Sequence, residues 1–170
     1  MDIDPLTPKP PSASLTETVQ LVFPEDANPL GTVFGGRVMQ WVDAVAAMAA
    51  QRHCRRIVVT AAIDAVAFRA AIRVGEYAVL QAWVNRTWHT SLEVEVTVDA
   101  EHPLTGERRR SVEAFLTFAA IGDDGRPTQA RPVMPQTELE WQRYHAADRR
   151  RAHRLAARAA PPLGVPDRLP

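Results

Sequence analysis

From Arg37 to Cys54 the chain runs eighteen residues without a proline or a glycine. Val38, Met39, Trp41, Val42, Val45, Ala46, Met48 and Ala49 recur there at helical spacing. The pattern predicts a helix that is apolar over much of its circumference, and such a helix is usually buried within a core. Its many alanines permit another element to approach closely. The rest of the chain has to supply the covering layer.

That layer reads as strands. Leu15 to Val22 alternates loosely and stops before Pro24, and Ile57 to Phe68 is a β-branched and apolar run. Glu76 to Arg86 is apolar on both faces, as in a central strand. In Ser91 to Asp99, Leu92, Val94, Val96 and Val98 alternate with Glu93, Glu95, Thr97 and Asp99. This predicts a half-buried antiparallel strand with an acidic outer face. Arg109 to Ile121 is the last strand, closed by Gly122-Asp123-Asp124-Gly125. The later links are short, which favours antiparallel neighbours. One helix against one curled antiparallel sheet is an α+β, two-layer architecture.

The 14 prolines mark the ends: four lie in the first eleven residues and four in the last ten. This predicts disordered tails at 1–14 and 161–170, with the folded domain at 15–135. Glu138 to Ala160 holds strong helix formers and neither proline nor glycine, so 136–160 is expected to form a C-terminal helix. Residues 136–170 carry a charge of +3 and the remainder −3, although the whole chain sums to +0. The arginines of that helix are expected to form a solvated face.

The overall balance argues against a nucleic-acid partner, and no apolar run approaches the ~20 residues of a membrane span. A single cysteine, Cys54, excludes an internal disulfide framework and a cysteine-based zinc site. The five histidines lack zinc-ligand spacing, so no metal site is expected, and the N-terminus lacks an apolar signal core. The expected location is the cytoplasm, with Cys54 buried or half-buried near a helix end.

Candidate chemistry concentrates between Asp26 and Asp43. Gly35-Gly36 opens the helix without side chains, so the backbone N–H groups of its first turn can meet an anion or a developing oxyanion. Asp43 lies about two turns inside the helix, too deep for a cap. Its helical neighbours are Met39, Gln40, Ala46 and Ala47. A carboxylate so placed needs a partner. It is either satisfied structurally or acts as a general base or nucleophile.

Asn28-x-x-Gly31-x-x-x-Gly35-Gly36, followed by Asp43 on the next helix, resembles the acyl-CoA thioesterases of the hotdog superfamily. The likeness is greatest to the YciA-like bacterial enzymes and the brain-type (BACH) acyl-CoA hydrolases. Arg52-His53-Cys54, Val58-Val59-Thr60-Ala61 with Asp64 and Phe68, Val74-Gly75-Glu76, Ser91-Leu92-Glu93-Val94-Glu95-Val96 and Ala114-Phe115-Leu116-Thr117-Phe118 agree in order. Phenylacetyl-CoA-type relatives commonly place a histidine before the paired glycines; here Phe34 stands there, which favours the YciA-like branch.

The resemblance implies a hotdog fold: about five antiparallel strands wrapped round the central helix. It implies hydrolysis of acyl-CoA to free fatty acid and coenzyme A, with no cofactor beyond the CoA of substrate and product. By position, Asp43 is the catalytic carboxylate and Asn28 its polar counterpart, supplied by different subunits of a homo-oligomer, a dimer or three dimers in a hexamer. Gly35 and Gly36 would form the oxyanion hole. Arg73 and Arg86 are candidates for the CoA phosphates, Thr90 and Ser91 for pantetheine or nucleotide, and Thr60 for the thioester site. Two other readings stay open: a hotdog hydratase or dehydratase, which would need a histidine beside the acid, and a module that binds acyl-CoA without hydrolysing it.

Overall fold

The structure, a computed structural model, describes residues 6–159. Five strands, β1 (Thr16–Leu21), β2 (Ile57–Phe68), β3 (Tyr77–Thr87), β4 (Ser91–Glu101) and β5 (Arg108–Ile121), form one antiparallel sheet in the order β1-β3-β4-β5-β2. Helix α1 (Gly35–Cys54) precedes β2 and α2 (Glu138–Ala159) follows β5.

The even-numbered residues from 78 to 84 on β3, 92 to 100 on β4 and 112 to 120 on β5 face α1. Leu80 and Val84 of β3, Leu92, Val94, Val96 and Val98 of β4, and Leu116 and Phe118 of β5 are all buried to within 1%. They enclose Val38, Val42, Val45, Ala46, Ala49 and Ala50 of the helix. The alanines have no side chain beyond Cβ, so the sheet closes tightly on this face. The opposite face of α1 is bare within one chain: Gln40, Ala44 and Met48 are exposed and Asp43 is half-buried. The helix is therefore covered on one side and not all round, as its composition suggested. The edge strand β2 is similarly open, with Ile57 65% and Ile63 45% exposed.

The second helix changes the expected picture of the outer sheet face. Arg149 and Arg158 are exposed, but its other arginines turn onto the sheet instead of forming the expected solvated face. Arg143 lies 4.5 Å over the Trp83 ring and pairs with Glu95 at 3.5 Å. Arg150 forks onto Glu93, at 3.1 Å through Nε and 2.5 Å through Nη2, and lies 3.7 Å over Phe115. Arg154 pairs with Asp64 on β2. The helix thus crosses from β3 to β2, and Glu93, expected to face water, is fully buried beneath it. At roughly 33 Å, 22 residues are long enough to span four strands.

The proline-rich N-terminal segment is likewise ordered where it is described, which corrects the expectation for residues 6–14. Lys9 forms a parallel bridge with Val133, its N–H donating to the Pro132 carbonyl at 3.0 Å. Pro11–Ser14 form one 3₁₀ turn with proline at its start, where the missing N–H costs nothing. Buried Ser14 accepts from the Val84 N–H at 2.9 Å and donates to the Pro11 carbonyl at 2.6 Å. The tail expected at 161–170 lies outside the described residues. Among the described residues no helix is long and apolar enough to cross a membrane.

Candidate active site

Asn28 organises a tight loop ahead of α1. Its Oδ1 accepts from the Leu30 N–H at 2.9 Å, and its Nδ2 donates to Thr32 Oγ1 at 3.0 Å. Its backbone N–H donates to the Thr32 carbonyl at 2.8 Å, and Gly31 completes the turn at φ +71°, a left-handed conformation that glycine adopts without steric cost. Buried Asp26 braces the loop from behind. Its carboxylate accepts from the Phe23 N–H at 3.1 Å and from Arg37 Nε at 2.7 Å, and its carbonyl accepts from the Phe34 N–H at 2.9 Å.

The helix then begins at Gly35. Phe34 is its cap residue but makes no side-chain capping bond, and its carbonyl accepts from the Arg37 and Val38 N–H groups. The N–H groups of Gly35 and Gly36 stand ahead of these, at the positive end of the helix, without an intrahelical acceptor. A Cβ on Gly36 would sit 3.0 Å from the Phe34 ring. A cavity of about 360 Å³ opens beside Gly35, walled by Thr32, Val38, Phe68, Ile72 and Val112.

Asp43 finds its partner on β2. Thr60 Oγ1 donates to Asp43 Oδ1 at 2.8 Å. A register irregularity lies between Thr60 and Ala62, next to the contact. A bulge re-aims side chains at such points, so it accounts for the Thr60 hydroxyl turned onto α1 from this strand. Asp43 is thus neither deeply buried nor unpartnered. Asn28 bonds within its own loop and Asp43 bonds to β2, so one chain presents the two groups separately.

The other candidates divide between places. Arg73 is exposed and forms a bridge with Thr32, beside the Asn28 loop. Arg86 stands near the other end of β3, roughly 30 Å away at the rise of an extended strand. It is engaged on the outer face: Asp148 pairs with it at 3.2 Å and the Tyr144 ring lies 3.6 Å from its guanidinium. Thr90 and Ser91 sit in the β3–β4 turn, half-buried, where the Thr90 carbonyl accepts from Ala120 and the Ser91 carbonyl from Trp88.

Two buried groups were not legible as site elements. Glu76, 6% exposed, receives Arg109 on both oxygens, Nη1 to Oε1 at 2.9 Å and Nη2 to Oε2 at 2.6 Å. Oε2 also accepts from the Arg73 N–H at 2.8 Å. Burial alone would raise the Glu76 carboxyl, but these hydrogen bonds and the Arg109 charge outweigh it and hold it below the usual range. Val74-Gly75-Glu76 was the sequence signal, read as a turn. His53 is fully buried with Nε2 3.1 Å from the Arg131 carbonyl, and burial lowers its pKa to about 4. Burial raises the Cys54 thiol, which fits a packed cysteine.

Among the described residues no group of three or more His, Cys, Asp or Glu side chains is placed to hold a metal ion. A model of the thioesterase superfamily matches residues 30–107. An uncharacterized acyl-CoA thioester hydrolase of Bacillus subtilis, YkhA, is 40% identical over 129 residues, 76% of this chain and 75% of that protein. The cytosolic acyl coenzyme A thioester hydrolase of Rattus norvegicus is 34% identical over 82% of this chain, which spans 38% of that longer protein. An apo-hexameric acyl-CoA thioesterase superposes with a TM-score of 0.86 at 41% identity, covering 89% of this chain and 97% of its own. An acyl-CoA hydrolase from Staphylococcus aureus, solved with butyryl coenzyme A, coenzyme A and coenzyme A disulfide, gives 0.84 at 32% identity over 89% and 93% of the two chains. That enzyme has also been solved as Asn28→Ala, Asp43→Ala and Thr60→Ala mutants, residue types and numbers that this chain shares.

Proposed function

The chain belongs to the thioesterase superfamily, and from that premise we propose that it hydrolyses acyl-CoA thioesters to free fatty acid and coenzyme A at a site built round Asp43. The observation that carries this is the Thr60–Asp43 hydrogen bond on the open face of α1, two turns along from the uncapped N–H groups of Gly35 and Gly36.

Water adds to the thioester carbonyl, the C–S bond breaks, and the products are a carboxylic acid and a thiol. Asp43 takes the proton of the attacking water as general base, or attacks the carbonyl itself; Thr60 holds the carboxylate in orientation. The N–H groups of Gly35 and Gly36 receive the charge that builds on the carbonyl oxygen. A thiolate departs readily, so no strong general acid is needed. Asn28 orients the water or the substrate from a neighbouring subunit. The bare face of α1 and the open edge of β2 support that division, because both lie beside Asp43 and leave it accessible to a second copy.

The assembly we propose is a dimer, or three dimers in a hexamer, supported by the hexameric neighbour. Arg73, exposed beside the Asn28 loop, is assigned to a CoA phosphate. Arg86 is already held by Asp148 and Tyr144 and is a poorer donor for that purpose. Thr90 and Ser91 are assigned to the pantetheine or nucleotide portion. A cytoplasmic location is part of the same proposal, supported by the cytosolic relative. The hydratase reading lacks a histidine: His53, the one on α1, is buried against the Arg131 carbonyl.

Release of free thiol from a panel of acyl-CoAs of increasing chain length tests the proposal. Asp43→Ala is expected to lower kcat by about 100-fold or more, as for loss of a general base, with the fold unchanged by circular dichroism. Near-wild-type turnover by Asp43→Ala overturns the mechanism. A wild type that binds acyl-CoA and releases no thiol at any chain length favours the binding module.

A further inference from the structure

We infer that Glu76 and Arg109 are positioning residues that hold the Asn28 loop in register. The inference rests on the catalytic reading of Asn28 proposed above.

The hydrogen bonds of the Asn28 side chain run to residues 30 and 32, so they shape the loop without fixing its place on the molecule. Three contacts tie it to the sheet side. The Val74 N–H donates to the Gly31 carbonyl at 3.1 Å, Thr32 bridges to Arg73, and the Val33 N–H donates to the Ile72 carbonyl at 2.8 Å. All three end on residues 72–74. On the sheet side the loop's place is therefore set by that short connection between β2 and β3, as Asp26 and Arg37 set it on the side of α1.

Backbone bonds to Val22 hold the far end of that connection, Gly75 N–H to the Val22 carbonyl at 2.9 Å and Val22 N–H to the Glu76 carbonyl at 3.0 Å, but residues 71–74 need a further clamp. Here the clamp is Glu76 with Arg109 of β5. One carboxylate oxygen takes the Arg73 N–H at 2.8 Å, and both oxygens take the guanidinium fork. The same guanidinium reaches past Glu76 to the Ala71 carbonyl at 2.8 Å. Arg109 thus holds the segment at residues 71 and 76, on either side of the three contact points. A fork in fixed geometry transmits position, whereas a lysine ammonium supplies charge alone. Displacement of a catalytic group by about 1 Å can cost about 100-fold in rate, so loosening 72–74 should reach Asn28 while leaving Asp43 and Thr60 in place.

Arg109→Lys keeps the charge and removes the fork, and it should be made in the wild type and in Asn28→Ala. In the wild type it is expected to lower kcat by about 10-fold or more, and KM should rise as well because Arg73, assigned to a CoA phosphate, lies on the same segment. In Asn28→Ala it should lower kcat no further, while the rise in KM persists. A kcat unchanged by Arg109→Lys, or an equal loss in both backgrounds, overturns the inference. Amide hydrogen exchange supplies a second readout that does not depend on turnover. The Val33 and Val74 amides should exchange about 10-fold faster in Arg109→Lys while β4 amides keep their rates. If Arg109→Lys fails to fold, Glu76→Gln takes its place in both measurements, with the same outcomes for and against. Unchanged loop exchange refutes the clamp; faster loop exchange in a protein that cleaves no acyl-CoA upholds the clamp and refutes the catalytic reading.

Discussion

Lowering the pH from 7 to 5 should weaken this fold through one residue, His53. The ring sits at the end of α1 with no exposure to solvent. Its Nε2 faces the Arg131 carbonyl at 3.1 Å and so carries the proton, while Nδ1 is buried without a hydrogen-bond partner. A second proton would have to go onto Nδ1, in a site where burial and then the charges of Lys9 and Arg131 already oppose it. The pKa is accordingly about 4 in the folded chain against 6.5 in the unfolded one. Between those values the unfolded chain binds the extra proton and the folded chain does not, so stability falls as the pH falls. With ~1.4 kcal/mol for each pK unit of difference, the loss from pH 7 to 5 is about 2 kcal/mol, and it levels off near 3 kcal/mol below pH 4. Urea unfolding at the two pH values, at fixed protein concentration, measures it. His53→Gln keeps an N–H donor for the Arg131 carbonyl and cannot gain charge, so its unfolding midpoint should move less, by an amount worth about 2 kcal/mol. Glu76, held below the usual carboxylate range by Arg109, is common to both proteins and cancels in the comparison. Equal losses in the two proteins would refute the reasoning.

Two further outcomes follow from the packing. Arg55 ends α1 in the left-handed conformation at φ 53°, where a side chain costs about 1 kcal/mol. Arg55→Gly should therefore raise the melting temperature by about 2–4 °C, read by calorimetry; an unchanged value would show that the side chain earns its place through contacts. Arg150→Met leaves the Glu93 carboxylate buried without its counter-charge and should cost about 3–5 kcal/mol, measured by urea unfolding. Glu93→Leu with Arg150→Met should recover most of that loss.

The spacing of apolar residues made α1 and the five strands legible, because a single face of each meets the core. The alternation of β4 also foretold which side chains turn outward, but alternation says nothing of what lies above them. The missing signal was on α2, where Arg143, Arg150 and Arg154 recur at intervals of seven and four, opposite Glu95, Glu93 and Asp64. Prolines at the N-terminal end were read as breakers, yet Pro11 begins a turn whose Ser14 is tied to β3. In the candidate site, Asn28, Gly35, Gly36 and Asp43 lie within sixteen residues and could be read together. The Glu76–Arg109 pair joins residues 33 apart, and the Thr60–Asp43 contact joins two elements across the fold. Neither follows from local spacing.

The two helices are fastened by different means. Helix α1 is held mainly by hydrocarbon, while α2 buries Ala147 alone among its described residues, packs Tyr144 against the core, accepts from Trp88 at Asp148, and is otherwise fastened by guanidinium groups. Dissolved salt screens the more exposed of the ion pairs on α2, Arg143–Glu95 and Arg86–Asp148, reaches the buried Arg150–Glu93 pair far less, and leaves apolar contacts intact. Ionic strength therefore bears on the seating of the outer helix more than on the packing of the inner one. Salt is thus expected to loosen the cover of the outer sheet face before it touches the apolar contacts between α1 and the sheet.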